Sequence, residues 1–438
     1  MGKKPMRILI VGAGKSAGFA IEYLAKRSVS LGAEIWVMDR QLKPLQEGFG
    51  TLPGVTYVTG DVNDAKAMAT LIEPCQWVIS LLPASMHMPL AKLAVAAGAN
   101  FATASYESEE MRGLEPEITA KKLLVLNEMG LDPGIDHLSA IQLLDELREK
   151  GEQIQSFESH CGGLVQVDDC KDNPWQYKFT WNPMNVIRAG QGAPSTWMEN
   201  GQMQNCEGNQ VFNAFRSIQV EGSGTLQAYP NRDSLAYVQA YGLESAHTVL
   251  RGTLRRDHFC QAWQQLVEWG WVSDQAVWPE SVKTYQQAFQ AFSGFASMLA
   301  WSQESPHVSD ETRLRIQAIP LDAESELPSR IPAECLLALL EPRWKLESND
   351  RDEVIMVHRV QTHRQHYQSS MVVYGTSAAR TAMAKTVGLT LAMAVELAIT
   401  KPGLKPGLHR PMSAYWYKDL LPLLSSEGIE FRHKEVRN

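Results

Sequence analysis

Residues 6–17, MRILIVGAGKSA, constrain the fold more than any other stretch, because a short apolar run breaks there into G-x-G-x-x-A. Ile8, Leu9, Ile10 and Val11 suit a strand buried on both faces, as in a parallel sheet. Gly12 permits a tight turn, Gly14 lets the backbone approach a pyrophosphate, and Ala17 allows a helix to pack closely on the strand. Phe19, Ala20, Tyr23 and Leu24 recur at helical spacing, so a helix follows with its first N–H groups aimed at phosphate oxygens. The expected ligand is a dinucleotide, cradled by Gly12, Ala13, Gly14, Lys15, Ser16 and Ala17. A second strand over 34–38 ends at Asp39, about twenty residues on, where a carboxylate can accept from the adenosine ribose. That acid favours NAD, with NADP second, while Arg40 beside it could stack on adenine or pair with a 2′-phosphate.

The same rhythm continues. Strand-like 56–59, helical 65–72, strand-like 77–82, helical 88–97, strand-like 100–102, a helix before Lys121 and a strand at 123–126 alternate as β and α. An α/β fold with an N-terminal Rossmann domain, a doubly wound parallel sheet, is the expectation. Ligands of such sheets lie beyond the carboxyl ends of the strands, which places Ser80, Leu81, Thr103, Ser105, Tyr106 and residues 128–136 around the coenzyme.

A chain of 438 residues exceeds a single core, so two or more domains are expected. Its 41 Lys and Arg against 49 Asp and Glu give a net charge of −8, and the lack of a basic run argues against nucleic acid. Cys75, Cys161, Cys170, Cys206, Cys260 and Cys335 form no C-x-x-C pair, which fits free thiols in a reducing, cytoplasmic setting. The opening MGKKPMRILIV imitates a signal peptide but runs into the glycine turn without a cleavage site, so it reads as strand. Residues 383–399 are the most apolar helical stretch, yet Lys385 and Glu396 interrupt them, favouring a buried helix over a membrane span.

Beyond residue 138 the pattern changes. A helix to Lys150 and a strand over 156–160 lead into a Gly-, Asn-, Pro- and Trp-rich region, up to Val211, that resists periodic assignment. Strands return near 217–220 and 248–254, then helical stretches at 259–268 and 282–301 read as an insertion. Its Trp263, Trp269, Trp271, Trp278 and Trp301 suit core packing rather than a ligand box. Strands at 353–360 and 367–374 precede a helix and a Pro- and Gly-rich tail. His358, His363 and His366 lack the one-face spacing of a zinc helix, and Asp136 suits a helix start, so no metal is expected.

SLLPASMHMPLAKLAVAAGANFATASYESEEM, followed by NEMGLDPGIDHLSA from Asn127, resembles the glutamate-forming saccharopine dehydrogenases, also called saccharopine reductases. The likeness runs on through HCGGL at His160, DNPWQYKFTW at Asp172, YPNRDSL at Tyr229, LRGTLR at Leu250, DRDEVIMVHR at Asp350 and MAKTVGL at Met383. It implies a Rossmann domain over 1–134, an α+β substrate and dimerisation domain over 135–255 and a helical insertion over 256–334. Residues 335–375 would return to the substrate domain, and 376–438 would pack back on the Rossmann domain. A homodimer is also implied.

The family joins glutamate to aminoadipate semialdehyde and reduces the imine to a secondary amine, or runs the reverse, with NAD(P). The resemblance implies a CH–NH oxidoreductase acting on this small-molecule pair. Saccharopine carries three carboxylates, and Arg232 and Arg255 match the family's carboxylate-binding positions. Ser105, Tyr106, Asp132, Cys161, Gly162, Thr253 and Leu254 match its other substrate contacts. Asp61, Val62, Leu81, Leu131, Asp132, Pro133, Gly134 and Asp136 join the glycine loop, Asp39 and Arg40 as coenzyme contacts. Hydride transfer needs no protein nucleophile, so side chains manage protons, and the candidates are Tyr106, Asp132 and Cys161.

Three stretches depart from the family pattern: VQVDD after HCGGL, which touches the substrate loop, Thr390 after MAKTVGL, and residues 202–212. They leave two alternatives, a reductase of another imine from an amino acid or polyamine, and a dinucleotide-binding protein without catalysis.

Overall fold

The computed structural model describes residues 5–436, which divide into two compact units: 5–149 with 372–431, and 150–371 with 432–436. In the first unit, among the described residues, the strands are β1 (Met6–Val11), β2 (Ala33–Asp39), β3 (Val55–Thr59), β4 (Trp77–Ser80), β5 (Asn100–Thr103), β6 (Leu124–Leu126) and β15 (Gly407–His409). They form one sheet in the order β15-β6-β5-β4-β1-β2-β3, paired in parallel throughout. Ile8, Leu9, Ile10 and Val11 are fully buried, as a strand covered on both faces requires. The expected α/β doubly wound sheet is present, and the apolar opening is an interior strand of it, between β4 and β2.

Helices α1 (Gly18–Leu31), α2 (Lys43–Phe49), α3 (Ala65–Ile72), α4 (His87–Ala97), α5 (Glu109–Gly113), α6 (Glu115–Ala120), α7 (Ile135–Glu149), α14 (Ala382–Thr400) and α15 (Ala414–Ser426) complete this unit. Helix α14 is long and apolar enough to cross a membrane, but 67% of that stretch is buried and it packs on α1. Thr390 inside it is buried, and its hydroxyl donates to the Thr386 carbonyl at 2.6 Å, so the departure from proline leaves no polar group unsatisfied.

Two expected boundaries move. Helix α7 was assigned to the second domain by a division at 134/135, but it packs on α15, with Tyr417 Oη donating to Asp145 at 3.2 Å, and the units divide at 149/150. The tail does not all belong to the first unit either. β16 (Arg432–Val436) pairs antiparallel with β14 (His366–Tyr374) in the second.

The second unit holds the remaining strands β7 (Ile154–Val165), β8 (Ser195–Glu199), β9 (Gln202–Cys206), β10 (Arg216–Val220), β11 (Gly224–Pro230), β12 (Thr248–Arg256) and β13 (Asp352–Thr362). Its sheet runs β10-β11-β12-β7-β13-β14-β16, with the β8–β9 hairpin beside β12. β12 pairs parallel to β7, whereas β13 pairs antiparallel to it. β7 continues five residues past the expected end at His160. Gly162 interrupts the sequence signal because a Cβ there would lie 2.8 Å from Leu254, so the close approach of β12 demands glycine inside a strand. Residues 202–212, unlike the family pattern, open with β9 after a turn at Asn200 and Gly201, φ 50° and 78°, the conformation of a two-residue hairpin.

The helices here are α8 (Pro183–Ile187), α9 (Phe259–Glu268), α10 (Tyr285–Ser293), α11 (Met298–Glu304), α12 (Asp310–Gln317) and α13 (Pro332–Trp344). The single helix expected over 282–301 is two. Gly294 ends α10 at φ 80°, and Ser297 caps α11 by accepting from the Ala300 N–H. The five tryptophans of this region are buried in its core, and the six cysteines form no disulfide.

Candidate active site

The glycine turn sits at the carboxyl end of β1. Gly12 has φ 102°, and a Cβ there would lie 2.9 Å from the Leu81 backbone, so both conformation and space require glycine. A Cβ on Gly14 would meet nothing within 4 Å, leaving its face open for a pyrophosphate. Helix α1 has no side-chain cap, so its first N–H groups remain for a ligand's phosphate oxygens. These features fit a dinucleotide.

At the adenosine end, Asp39 also holds the glycine loop. Its Oδ2 accepts from the Ala13 N–H at 2.6 Å and its Oδ1 from the Gln41 N–H at 2.9 Å. The carboxylate therefore ties the glycine turn to the end of β2. Arg40 is exposed and forms no ion pair among the described residues. Asp61 Oδ1 accepts from the Asn63 backbone at 2.9 Å, shaping the exposed turn that presents Val62.

Tyr106, past the end of β5, and Asp132, past β6, come together although 26 residues apart. Tyr106 Oη donates to Asp132 Oδ1 at 3.1 Å. Asp136 is buried and its Oδ1 accepts from the Gly134 N–H at 2.6 Å, so its carboxylate braces the turn through Pro133. Leu131 is likewise buried beneath it. Glu128 joins the two turns, with Oε1 accepting from the Glu107 N–H at 3.1 Å and Oε2 lying 2.9 Å from His137 Nε2. Burial pushes the Glu128 carboxyl up, but His137 outweighs it and the net direction is down.

Ser105 lies in the same group of turns, its Oγ 2.7 Å from Nε2 of His87. Glu128 falls in the 128–136 stretch expected around the coenzyme, whereas the sequence gives His87 and His137 no site role. All three lie inside the two quoted motifs, but nothing in their spacing distinguishes them from core residues.

In the second unit the pleat sorts the expected substrate residues. Cys161 is in register with Thr253, which in turn faces Tyr229 on β11, and Arg255 lies two residues further along that face. Gly162 and Leu254 fall on the opposite face, so the Leu254 side chain does not join the group. Arg255 is 3% exposed, with Nη1 donating to the Leu254 carbonyl at 2.9 Å and Nε without a partner. Its guanidinium carbon stands 5.4, 5.6 and 5.5 Å from the rings of Tyr177, Tyr229 and Phe259. Among the described residues no carboxylate pairs with it. Arg232, by contrast, is exposed in the bend after β11 at φ 61°, where its carbonyl accepts from the Thr196 N–H at 3.1 Å. Cys161 is buried. Tyr177 and Tyr229 were missed as site residues, although both stand in quoted motifs.

Residues 8–126 match the family described as the saccharopine dehydrogenase NADP binding domain, and residues 130–429 the saccharopine dehydrogenase C-terminal domain. The saccharopine dehydrogenase [NADP(+), L-glutamate-forming] of Saccharomyces cerevisiae is 30% identical over 455 residues, covering 100% of both chains. The mitochondrial alpha-aminoadipic semialdehyde synthase of Mus musculus is 30% identical over 457 residues, covering 97% of this chain and 47% of that protein. The chain thus spans about half the length of that group of relatives. Among solved structures, apo saccharopine dehydrogenase (L-Glu forming) from Saccharomyces cerevisiae superposes with a TM-score of 0.86 at 29% identity, covering 99% of this chain and 100% of that one. Homospermidine synthase from Legionella pneumophila shares the fold alone, with a TM-score of 0.58 at 10% identity over 98% of this chain and 91% of that one.

Proposed function

Because the chain belongs to the saccharopine dehydrogenase family, we propose that it interconverts saccharopine with L-glutamate and α-aminoadipate semialdehyde using NADP(H). The observation that carries this reading is Arg255, a guanidinium held out of water with no acid beside it. A cation buried without a counterion is costly, and a substrate carboxylate removes that cost on binding. The same cation disfavours a polyamine substrate.

In the oxidative direction, saccharopine, NADP+ and water give glutamate, the semialdehyde, NADPH and a proton. The bound coenzyme supplies the hydride acceptor at its nicotinamide ring. Asp132 is assigned the proton of the secondary amine, which must leave before the C=N bond can form. Tyr106, hydrogen-bonded to Asp132, orients that carboxylate and shares its proton. Arg255 and Arg232 bind substrate carboxylates, with Thr253 and Cys161 beside Arg255 on the same face. Gly12 to Ala17 hold the pyrophosphate through backbone N–H groups.

NADP replaces NAD as the expected preference. Each Asp39 oxygen accepts a backbone N–H, and the exposed guanidinium of Arg40 beside it is assigned to the 2′-phosphate. The NADP(+) in the names of the yeast relatives supports the same assignment. We also assign the chain to a homodimer, which sedimentation checks. Absorbance at 340 nm with saccharopine and either coenzyme tests the main reading. Turnover favouring NADP+ is expected, and no reduction of either coenzyme would overturn it.

A further inference from the structure

His87 opens α4 from a buried position between two hydroxyls, with Nδ1 2.8 Å from Ser80 Oγ and Nε2 2.7 Å from Ser105 Oγ. Ser80 ends β4 and Ser105 follows β5, so the imidazole bridges the carboxyl ends of neighbouring strands. Thr103 Oγ1 lies 3.3 Å from Nε2 and accepts from the Ser105 N–H at 3.3 Å, closing the cluster. Burial pushes the His87 imidazole down to about 4, so it is neutral near pH 7. A neutral ring has one donor and one acceptor.

Proton accounting decides which nitrogen is which. Ser80 is 1% exposed, and His87 is its hydroxyl's partner among the described residues. If Nδ1 carried the proton, Ser80 would have to accept it, and its own buried O–H would go unpaired, which is unfavourable. Ser80 therefore donates to Nδ1, and the equally buried Thr103 hydroxyl, 3.5 Å from the same nitrogen, turns its O–H there too. The ring proton sits on Nε2 and is donated to Ser105 Oγ, leaving the Ser105 O–H with no acceptor among the described residues.

We infer that His87 is a positioning residue that, as the Nε2–H tautomer, turns the Ser105 hydroxyl into a fixed hydrogen-bond donor for an anionic substrate oxygen. This rests on the assignment of Ser105 to the substrate. An acceptor-only Ser105 would instead select a protonated amine, so the tautomer sets the chemical class that this position recognises.

Two measurements on the full-length protein with bound NADP+ test it. The first is ¹⁵N imidazole NMR at neutral pH, with the His87 signal assigned by its loss in His87→Gln. It needs no substrate and so stands even if saccharopine is not turned over. A protonated Nε2 and bare Nδ1 are expected, and the opposite tautomer or an imidazolium would overturn the inference. The second is steady-state kinetics. His87→Ala should raise KM for saccharopine about tenfold with the KM for coenzyme unchanged, the size of one lost hydrogen bond. His87→Gln, whose amide can donate where Nε2 does, should restore most of it. Adding Ser105→Ala to His87→Ala should cost little more, whereas multiplying losses would show that the two act apart. If His87→Ala does not fold, the glutamine variant and the tautomer decide.

Discussion

Arg255→Met separates two roles that a buried guanidinium can play, because they predict opposite signs. A structural cation is held by its partners, and removing it unfolds the protein. Here the partners are weak: one backbone carbonyl at 2.9 Å and three aromatic rings with centroids 5.4–5.6 Å away. Cation–π contacts at such separations amount together to about 1–2 kcal/mol. Keeping an unpaired cation out of water costs several kcal/mol, so methionine, apolar and unbranched, should leave the substrate-free protein as stable or more so. Substrate binding moves the other way. A carboxylate paired two-pronged with Arg255 makes two charge-assisted hydrogen bonds of roughly 1.5–3 kcal/mol each. Their loss should lower kcat/KM for saccharopine by about 10²–10⁴. NADPH absorbance gives the rate and differential scanning calorimetry the stability. A marked fall in Tm with kcat/KM retained would make Arg255 a structural residue and remove the observation on which the functional reading rests. Arg255→Lys should recover only part of the rate, since an ammonium cannot form the fork.

Asp132→Asn keeps the shape of the turn but cannot take the amine proton, so kcat should fall about 10²–10⁴ while NADPH binding, read by fluorescence, holds. Unchanged turnover would remove Asp132 from proton handling. Arg40→Ala should raise the KM for NADP+ about tenfold or more and leave that for NAD+ unchanged; equal effects on both would place Arg40 away from the 2′-phosphate. Acid stability has two separable parts. Burial pushes the Glu158 carboxyl up, but His160, Arg359 and Arg216 outweigh it and hold it at about 2. Its stabilisation, about 3 kcal/mol, is complete above the unfolded value near 4.5 and is lost as pH falls from there toward 2. His87, folded value about 4 against 6.5 unfolded, binds a proton in the unfolded chain first, so stability falls as pH drops from 6.5 toward 4. Urea titrations across pH should show Glu158→Gln flattening the lower limb and His87→Gln the upper, and unaltered limbs would refute both assignments.

Much of the fold is legible because burial on both faces writes itself as an unbroken apolar run. Ile8 to Val11 needed no tertiary knowledge, and neither did the helical face that follows. The failures share one cause, that local pattern does not register what another element does. Periodicity carries across Gly294 and Ser297, so two capped helices read as one. Gly162 reads as a strand breaker until β12 is seen against it. The 134/135 boundary followed the motif, whereas α7 belongs with the helix it packs on.

The site divides the same way. Tyr106 and Asp132 were both named from sequence, but only the fold shows that one donates to the other. Asp39 was read by its position, yet its oxygens serve the loop. The two arginines were read as equals and are not, and this has a measurable consequence. Exposed charges are screened once salt shortens the Debye length from about 10 Å at 0.1 M to about 3 Å at 1 M, while buried ones are screened far less. Arg232 lies in water and Arg255 does not. The penalty of Arg232→Ala on kcat/KM should therefore be modest and shrink as KCl is raised, in line with the roughly 0–1 kcal/mol of exposed ion pairs. The penalty of Arg255→Met should persist. Parallel salt dependence in the two variants would mean that substrate meets both guanidinium groups in the same solvent, and that burial of Arg255 is no guide to its role.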